Sequence, residues 1–173
     1  MSLDWNSFEQ TLFDAAKRHL ATFLVAPEVQ DIYGVGFFCD AVPPGCIRLV
    51  ANTRSYHTKA FGEYAARFGT CNEDVFRWDT GNWKCPAGLF PSATANQQAF
   101  DDTLSPFLSV FAVESDEAQA ELEQMCGRTL KRLYEDGVLL LAKQLEGLTV
   151  NGPYGDSETQ LGKKRSFDYL LRR

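Results

Sequence analysis

The stretch that decides the fold is residues 32–51, which read Ile-Tyr-Gly-Val-Gly-Phe-Phe-Cys-Asp-Ala-Val-Pro-Pro-Gly-Cys-Ile-Arg-Leu-Val-Ala. Side chains along 32–39 alternate with the two-residue period of a β-strand. The Pro-Pro-Gly segment within 40–45 is typical of a turn. Residues 46–51 form a second apolar run of strand length. The stretch therefore predicts an antiparallel hairpin and places a small sheet in the protein.

Gly34 and Gly36 fall on the same side of the first predicted strand. Glycine weakens a strand interior, so two glycines on one side indicate that a helix or another stretch of backbone approaches closely there. We expect a shallow trough on that side of the sheet.

Four segments around the hairpin have the spacing of amphipathic helices. The first runs from about Asp4 to Leu24, with Asp4 or Ser2 as its N-cap and Pro27 just past its end. The second runs from a cap at Asn52 or Thr53 to Phe68, and Gly69 stops it. Its expected buried stripe consists of Tyr56, Ala60, Phe61, Tyr64, Ala65 and Phe68.

The third helix is expected over residues 92–104, with Pro106 ending or kinking it. The fourth begins at Ser115-Asp116-Glu117 and is broken at Asp136-Gly137, unless its leucine pattern carries it on as far as Leu148. Beyond it we expect a turn at 151–153, a polar loop over 155–164 and a short helix or strand over 166–173. The whole chain, residues 1–173, is thus predicted to be a single α+β domain with a small antiparallel sheet packed against several helices.

Composition supports a globular protein. The chain has 173 residues, of which 45% are hydrophobic and 13% aromatic, which suits one domain with its own core. No apolar run reaches the roughly 18 residues that span a bilayer. The first residues lack the basic and apolar regions of an export signal, so we expect a cytoplasmic protein with no membrane association.

The five cysteines are an odd number and include no Cys-x-x-Cys pair. We therefore expect reduced, partly buried thiols rather than a disulfide framework. With only two histidines, His19 and His57, nothing in the spacing favours a metal site, and we expect neither a metal nor a cofactor.

Residues 74–90 hold two of the three tryptophans and the string Asp79-Thr80-Gly81, which matches the signature of aspartic proteases. Those enzymes are nearly all strand and need a second such loop, which this largely helical pattern lacks. We expect Asp79 to cap a short helical turn from Thr80 to Trp83, with Trp78 and Trp83 packed in the interior. Arg77 is expected at the surface beside them, where it could join an interaction site.

A small hydrolase remains an alternative, with Asp79 or Cys39 as its reactive group. Cys39 at a strand end, paired in space with His57, would resemble a thiol hydrolase. No sequence context around Cys39 lowers its pKa, so a buried structural cysteine is the competing interpretation.

Charge is unevenly distributed in this chain of net charge −6. Residues 101–127 contain seven acids and no Lys or Arg until Arg128. An acidic chain repels phosphate backbones, so nucleic acid is not an expected partner. The candidate partner surface comprises Glu114, Asp116, Glu117, Glu121 and Glu123, together with Arg77. It would attract a basic protein, although a solvated helix face gives the same pattern.

The order of these features resembles a bacterial domain family of unknown function. The matching elements are Asp4-Trp5-Asn6-Ser7-Phe8-Glu9, the strand from Ile32 to Phe37, Arg77-Trp78-Asp79 with Trp83-Lys84, and the helix end Leu130 to Gly137. The likeness extends to about residue 138. It implies a small acidic protein of the kind found beside contact-dependent toxins, where such proteins serve as immunity factors.

We therefore expect a non-enzymatic protein-binding domain, an immunity-type inhibitor whose acidic surface meets a basic toxin. A small hydrolase using Cys39 or Asp79 and a structural subunit of a larger complex are the two alternatives.

Overall fold

A computed structural model describes residues 3–24, 31–69, 72–79, 83, 94–110 and 116–151. The elements follow the order α1 (Trp5–Phe23), β1 (Ile32–Asp40), β2 (Cys46–Thr53), α2 (Arg54–Phe68), α3 (Glu73–Trp78), α4 (Thr94–Leu108), α5 (Asp116–Glu135), a 3₁₀ turn (Val138–Leu141) and β3 (Gly147–Asn151). The predicted α+β class is confirmed. The expected structure at 80–82 and 152–173 lies outside the described residues.

The sheet has three strands in the order β2-β1-β3. β1 and β2 form the predicted antiparallel hairpin, with Asp40 opposite Cys46 and Phe37 opposite Leu49. β3 pairs with the other side of β1 in parallel, so the sheet is mixed rather than purely antiparallel. A parallel partner must arrive by a long crossover, and in this protein the intervening chain contains α2 to α5.

A register shift between Ile32 and Gly34 marks a bulge at the start of β1. A bulge interrupts the strict alternation of side chains. Ile32 and Val35 consequently join one hydrophobic cluster, while Tyr33 between them joins another on the opposite side of the sheet.

α1 starts where its sequence predicts. The Asp4 carboxylate accepts hydrogen bonds from the backbone N–H groups of Asn6 and Ser7, each at 3.1 Å. Such bonds satisfy donors that have no partner inside the helix. The apolar stripe of α1 is buried from Phe8 to Phe23 and packs on α4 and α5.

α2 has the predicted ends but not the predicted buried face. The Thr53 hydroxyl accepts a hydrogen bond from the N–H of Tyr56 at 3.1 Å, and Gly69 ends the helix at φ 87°. Phe68 is nevertheless 62% exposed and Tyr64 38% exposed, and the buried residue of this helix is His57. The other four residues of the expected stripe are half-buried, so the stripe is only partly covered: among the described residues, α2 packs mainly on β2 and α3.

Pro106 lies inside the last turn of α4 rather than beyond its end. The helix continues to Leu108, and Ser109 N–H still donates to the Ser105 carbonyl at 2.9 Å. A proline this close to a C-terminus removes one hydrogen bond without breaking the helix.

α5 ends as its Asp-Gly sequence predicts. Gly137 has φ 80°, a left-handed conformation that glycine adopts without strain, and the N–H of Asp136 still bonds to the Arg132 carbonyl. The leucines beyond do not continue the helix. Leu139 to Leu141 belong to the 3₁₀ turn, where Val138 and Leu139 are buried and Leu140 is 59% exposed, and Leu148 lies in β3.

The two sides of the sheet are covered differently. One side, the helix face, packs against α1, α4 and α5, and its strand residues include Val35, Phe37 and Cys39. The opposite side, the indole face, carries a smaller cluster of Tyr33, Val50 and Trp83, with Phe38 and Trp78 packed against it.

Candidate functional site

The indole face is built on glycines. A Cβ added to Gly34 would lie 2.5 Å from Cη2 of Trp83, and one added to Gly147 would lie 2.7 Å from Cη2 of Trp78. At Gly36 an added Cβ would meet the backbone oxygen of Thr149 on β3. The close approach predicted at the two glycines is therefore confirmed, by an indole ring at Gly34 and by the backbone of β3 at Gly36.

Tyr33 is the centre of this face. Both indoles stand edge-on to its ring, with centroids 5.6 Å away for Trp78 and 6.0 Å away for Trp83. Edge-to-face contacts place the positive edge of one ring against the negative face of the other, which is a favourable arrangement. The tryptophans are thus packed, as expected, with Trp83 buried and Trp78 half-buried.

A chain of hydrogen bonds runs through the Tyr33 hydroxyl. The hydroxyl donates to the Arg77 carbonyl at 3.0 Å and accepts from Asn52 Nδ2 at 2.9 Å. The same Arg77 carbonyl accepts from Trp83 Nε1 at 2.8 Å. One backbone oxygen at the end of α3 therefore ties an indole and a strand tyrosine together.

The Arg77 side chain is engaged within the protein. Its guanidinium pairs with Glu146, which also pairs with Arg54, and its Cζ lies 4.6 Å from the centre of the Tyr33 ring. Burial raises the pKa of Tyr33, an effect that the nearby Arg77 cation partly offsets. Arg77, which was expected at the surface as part of a partner site, thus lies half-buried in an ion-pair network, because Glu146 and the Tyr33 ring hold its guanidinium.

His57 and Cys39, the pair considered for a thiol hydrolase, are not brought together. His57 packs between the rings of Tyr33, Phe61 and Phe76, and its Nε2 lies 3.2 Å from Glu73 Oε1. Cys39 lies six residues along β1 from Tyr33 and on the helix face. A hydrogen bond with Cys126 and burial raise the pKa of the Cys39 thiol, which opposes formation of a nucleophilic thiolate.

Asp79 follows the last residue of α3 and is half-buried. Its backbone is extended, with φ −81° and ψ 108°. The turn that it was expected to cap falls on residues 80–82, outside the described part of the chain, so this role stays a prediction.

The carboxylates of the acidic stretch, residues 101–127, are of two kinds: some bond to other side chains of the protein, and others are exposed to solvent. Glu121 pairs with Arg128 at 3.0 Å, and Glu123 accepts a hydrogen bond from Gln119 at 2.8 Å. Asp116 and Glu117 are exposed in the first turn of α5, where the helix dipole favours acids. Glu114 lies outside the described residues.

Gln119, which sequence reasoning missed, fastens this stretch to the sheet. Its side chain accepts from Ala41 N–H at 2.8 Å and donates to the Cys39 carbonyl at 3.2 Å. A buried glutamine at a helix position surrounded by acids carries no distinctive sequence signal. The contact places the start of α5 at the hairpin turn.

Two more acids join at this end of the sheet. Burial raises the pKa of the Cys46 thiol, and the nearby carboxylates of Asp40 and Asp101 raise it further, while Arg48 lowers it. We define the acidic edge as the carboxylates Asp40, Asp101 and Glu123 at this end of the sheet, together with Asp116 and Glu117 in the helical turn that leads to Gln119. Arg48 on β2 is a cation in the same region. It draws on β1, α4 and α5, so it is a feature of the folded surface and not of one stretch of sequence.

Within the described ranges, no group of three or more His, Cys, Asp or Glu side chains could hold a metal ion. No helix among those residues has the length and apolar character needed to cross a bilayer. In the comparisons with known proteins, the chain matched no family model, no curated protein and no solved structure.

Proposed function

We propose that this chain is a non-enzymatic, cytoplasmic protein-binding domain whose acidic edge docks a basic protein. The observation that carries the proposal is that Asp40 of β1 and Asp101 of α4 both lie near Cys46, while Gln119, bonded to the Cys39 carbonyl, holds Glu123 of α5 at the same end of the sheet. Carboxylates that share one surface add their fields and steer a cationic partner, and they disfavour nucleic acid. The resemblance to small acidic immunity factors fits the same interpretation, in which the partner is a toxin and binding neutralises it.

The carboxylates of the acidic edge differ in how far the protein itself fixes their positions. Gln119 holds Glu123 in place, so that carboxylate is ordered before a partner arrives. Among the residues that the structure describes, Asp116 and Glu117 form no ion pair and remain open to a partner's cations. Preorganised charge loses less conformational entropy on binding than charge on a free side chain.

The test first identifies the partner by pull-down from the native cell with mass spectrometry. Association with that purified partner is then followed by stopped flow at low and at physiological salt. The double variant Asp116→Lys with Glu117→Lys should slow association by roughly tenfold at low salt, with a smaller effect at higher salt. This pair is preferable to Glu121 or Glu123, whose reversal would also break contacts with Arg128 and Gln119.

A matched control carries the same change of charge elsewhere. Glu63→Lys with Asp74→Lys alters two exposed acids on α2 and α3 that do not belong to the acidic edge. Glu63 loses only a solvent-exposed pair with Lys59 at 4.0 Å, a kind of contact that contributes little to stability. If this control slows association as much as the edge variant does, net charge alone steers the partner. Equal rates for the wild type and the edge variant would remove the acidic-edge proposal.

A second candidate, a structural subunit of a larger complex, is favoured by the exposed aromatic residues of α2. Phe68 is 62% exposed and lies with its ring 4.9 Å from that of Tyr64, beside the Arg67 cation. Exposed aromatic groups next to arginine are common at protein interfaces. If this candidate is correct, Phe68→Ser would release the captured partner while the acidic-edge variant would not.

A further inference from the structure

The side chain of Gln119 makes three hydrogen bonds within the protein. Its Oε1 accepts from the Ala41 N–H at 2.8 Å, and its Nε2 donates to the Cys39 carbonyl at 3.2 Å and to Glu123 Oε1 at 2.8 Å. The partners on β1 and in the hairpin turn lie 80 and 78 residues away along the chain. Both of these long-range bonds are buried, so water does not compete for them.

The orientation of the Gln119 amide follows from its partners. The Ala41 N–H is a donor, whereas the Cys39 carbonyl and the Glu123 carboxylate are acceptors. Turning the amide by half a turn would place Nε2 against the donor and Oε1 against the two acceptors, and all three bonds would be lost. A single orientation therefore satisfies the whole set, and protein groups fix the side chain.

Two of the three bonds lie on either side of Asp40. Gln119 bonds to the carbonyl of Cys39, the residue before it, and to the N–H of Ala41, the residue after it. The Asp40 carboxylate is held as well, because its Oδ1 accepts from the Val42 N–H at 2.8 Å. Both the backbone and the side chain of this acid are therefore fixed at the point where β1 ends.

The third bond fixes an acid of a different element. Glu123 lies one helical turn after Gln119 on α5, and it accepts from the same Nε2 that bonds to the Cys39 carbonyl. The pKa of the Cys39 thiol is raised chiefly by a hydrogen bond with Cys126 and by burial, and the Glu123 carboxylate adds to that effect. Glu123 therefore lies near the end of β1 as well as beside Gln119.

We propose that Gln119 is a positioning residue of the acidic edge, and that its amide fixes Glu123 relative to Asp40 for binding. This role rests on the proposed function, in which the edge docks a basic protein. Acids with fixed positions lose less conformational entropy on binding, so their complex dissociates more slowly. Gln119 carries no charge and adds nothing to the long-range field, so it acts on dissociation rather than on association.

Stopped flow on the full chain tests the proposal at low salt, with a fluorescently labelled lysine decamer as the basic probe. Gln119→Met keeps the length and the neutrality of the side chain but removes its three bonds. Its complex should dissociate about three- to fivefold faster, roughly the effect of one lost hydrogen bond, with an unchanged association rate. Gln124→Met is the matched control, because Gln124 is exposed on the same helix and its variant should behave as the wild type.

The outcomes separate this role from the proposed function. If the Gln119→Met complex dissociates at the wild-type rate, at a temperature where both proteins are folded, the residue is only structural and the positioning proposal is wrong. Equally fast dissociation of the Gln124→Met complex would also overturn it. If Asp116→Lys with Glu117→Lys leaves association with the probe unchanged, the acidic edge does not bind cations, and the proposed function is wrong together with the positioning role.

Hydrogen exchange of the wild-type protein gives a test that needs no variant. The Ala41 amide should exchange at least roughly tenfold more slowly than in an unstructured peptide, because Gln119 Oε1 accepts its hydrogen bond in a buried position. Exchange at the rate of an unstructured peptide would show that this bond does not persist in solution, and the positioning proposal would then be wrong.

Discussion

The two faces of the sheet are covered in different ways. On the helix face, side chains such as Phe37 and Val35 interdigitate with those of three helices and are fully buried. On the indole face the strands present Gly34 and Gly147, and two tryptophan rings lie directly on the backbone.

The two faces are stabilised by different interactions. An apolar core gains stability from close packing alone, in proportion to the area removed from water. The indole face also buries polar atoms, so the Tyr33 hydroxyl, the Arg77 carbonyl and the Trp83 N–H must each have a partner. Its stability therefore depends on hydrogen bonds as well as on shape.

The largest effect is expected on the helix face. Phe37→Ala should lower the free energy of unfolding by about 3–5 kcal/mol, because it opens a cavity in the core. Urea denaturation measures the loss. Phe68→Ala is the control, since that ring is 62% exposed and its removal should change stability by less than about 1 kcal/mol. Similar losses for both variants would contradict the assigned burial.

Gly34→Ala tests the fit of the indole. The added methyl group would lie 2.5 Å from the Trp83 ring, so the variant should lose about 1–3 kcal/mol through overpacking. In a Trp83→Leu background most of that loss should disappear, which double-mutant denaturation would show. A loss that persists unchanged would mean that the indole is not its cause.

Tyr33→Phe tests the hydrogen bonds while keeping the ring. The variant should lose about 1–2 kcal/mol, because Asn52 Nδ2 loses its acceptor in a buried position. Tyr64→Phe, at a 38% exposed position, is the control and should be nearly neutral. Thermal denaturation of the two variants measures both losses. Equal stability of Tyr33→Phe and Tyr64→Phe would contradict the buried hydrogen bonds of the Tyr33 hydroxyl.

The pH dependence of stability follows from the raised pKa of Tyr33. In the unfolded chain a tyrosine ionises near pH 10, while the buried Tyr33 keeps its proton, so the folded state binds more protons above that pH. Stability should therefore fall as the pH rises above about 10, by up to roughly 1.4 kcal/mol per pH unit. Tyr33→Phe should reduce that slope, and an unchanged slope would argue against burial of the hydroxyl.

The smallest expected effect is an increase, rather than a decrease, in the free energy of unfolding. Gly62 lies within α2, and a Cβ added there meets no described atom within 4 Å. Gly62→Ala should stabilise the protein by about 0.5–1 kcal/mol, because alanine loses less backbone entropy in a helix. The same substitution thus has opposite signs at Gly34 and Gly62. A destabilised Gly62→Ala variant would indicate that another part of the chain occupies the space beside this helix.

Much of the fold could be read from local signals. The caps at Asp4 and Thr53, the stop at Gly69 and the break at Gly137 depend on residues close in sequence, so their patterns predicted the helix ends correctly. The glycine pair of β1 likewise predicted a close approach, because only a missing side chain leaves such room.

Other features depend on partners far along the chain. β3 starts at Gly147 and pairs with Gly34, and no local pattern connects two segments so distant. The stripe of α2 had the correct period, but period cannot say whether a second layer covers the stripe. The acidic edge was only partly predicted, because Asp40 and Asp101 join it through folding.

Sequence alone determined helices α1, α2, α4 and α5, most of their ends, the hairpin and the α+β class, since these follow from side-chain period and turn chemistry. It did not predict α3 or β3. Only the tertiary structure decided that β3 makes the sheet mixed, that indoles cover one face, and that Arg77 is engaged by Glu146. The physical reason is that these contacts join residues tens of positions apart. Their formation depends on which surfaces meet once the chain is compact.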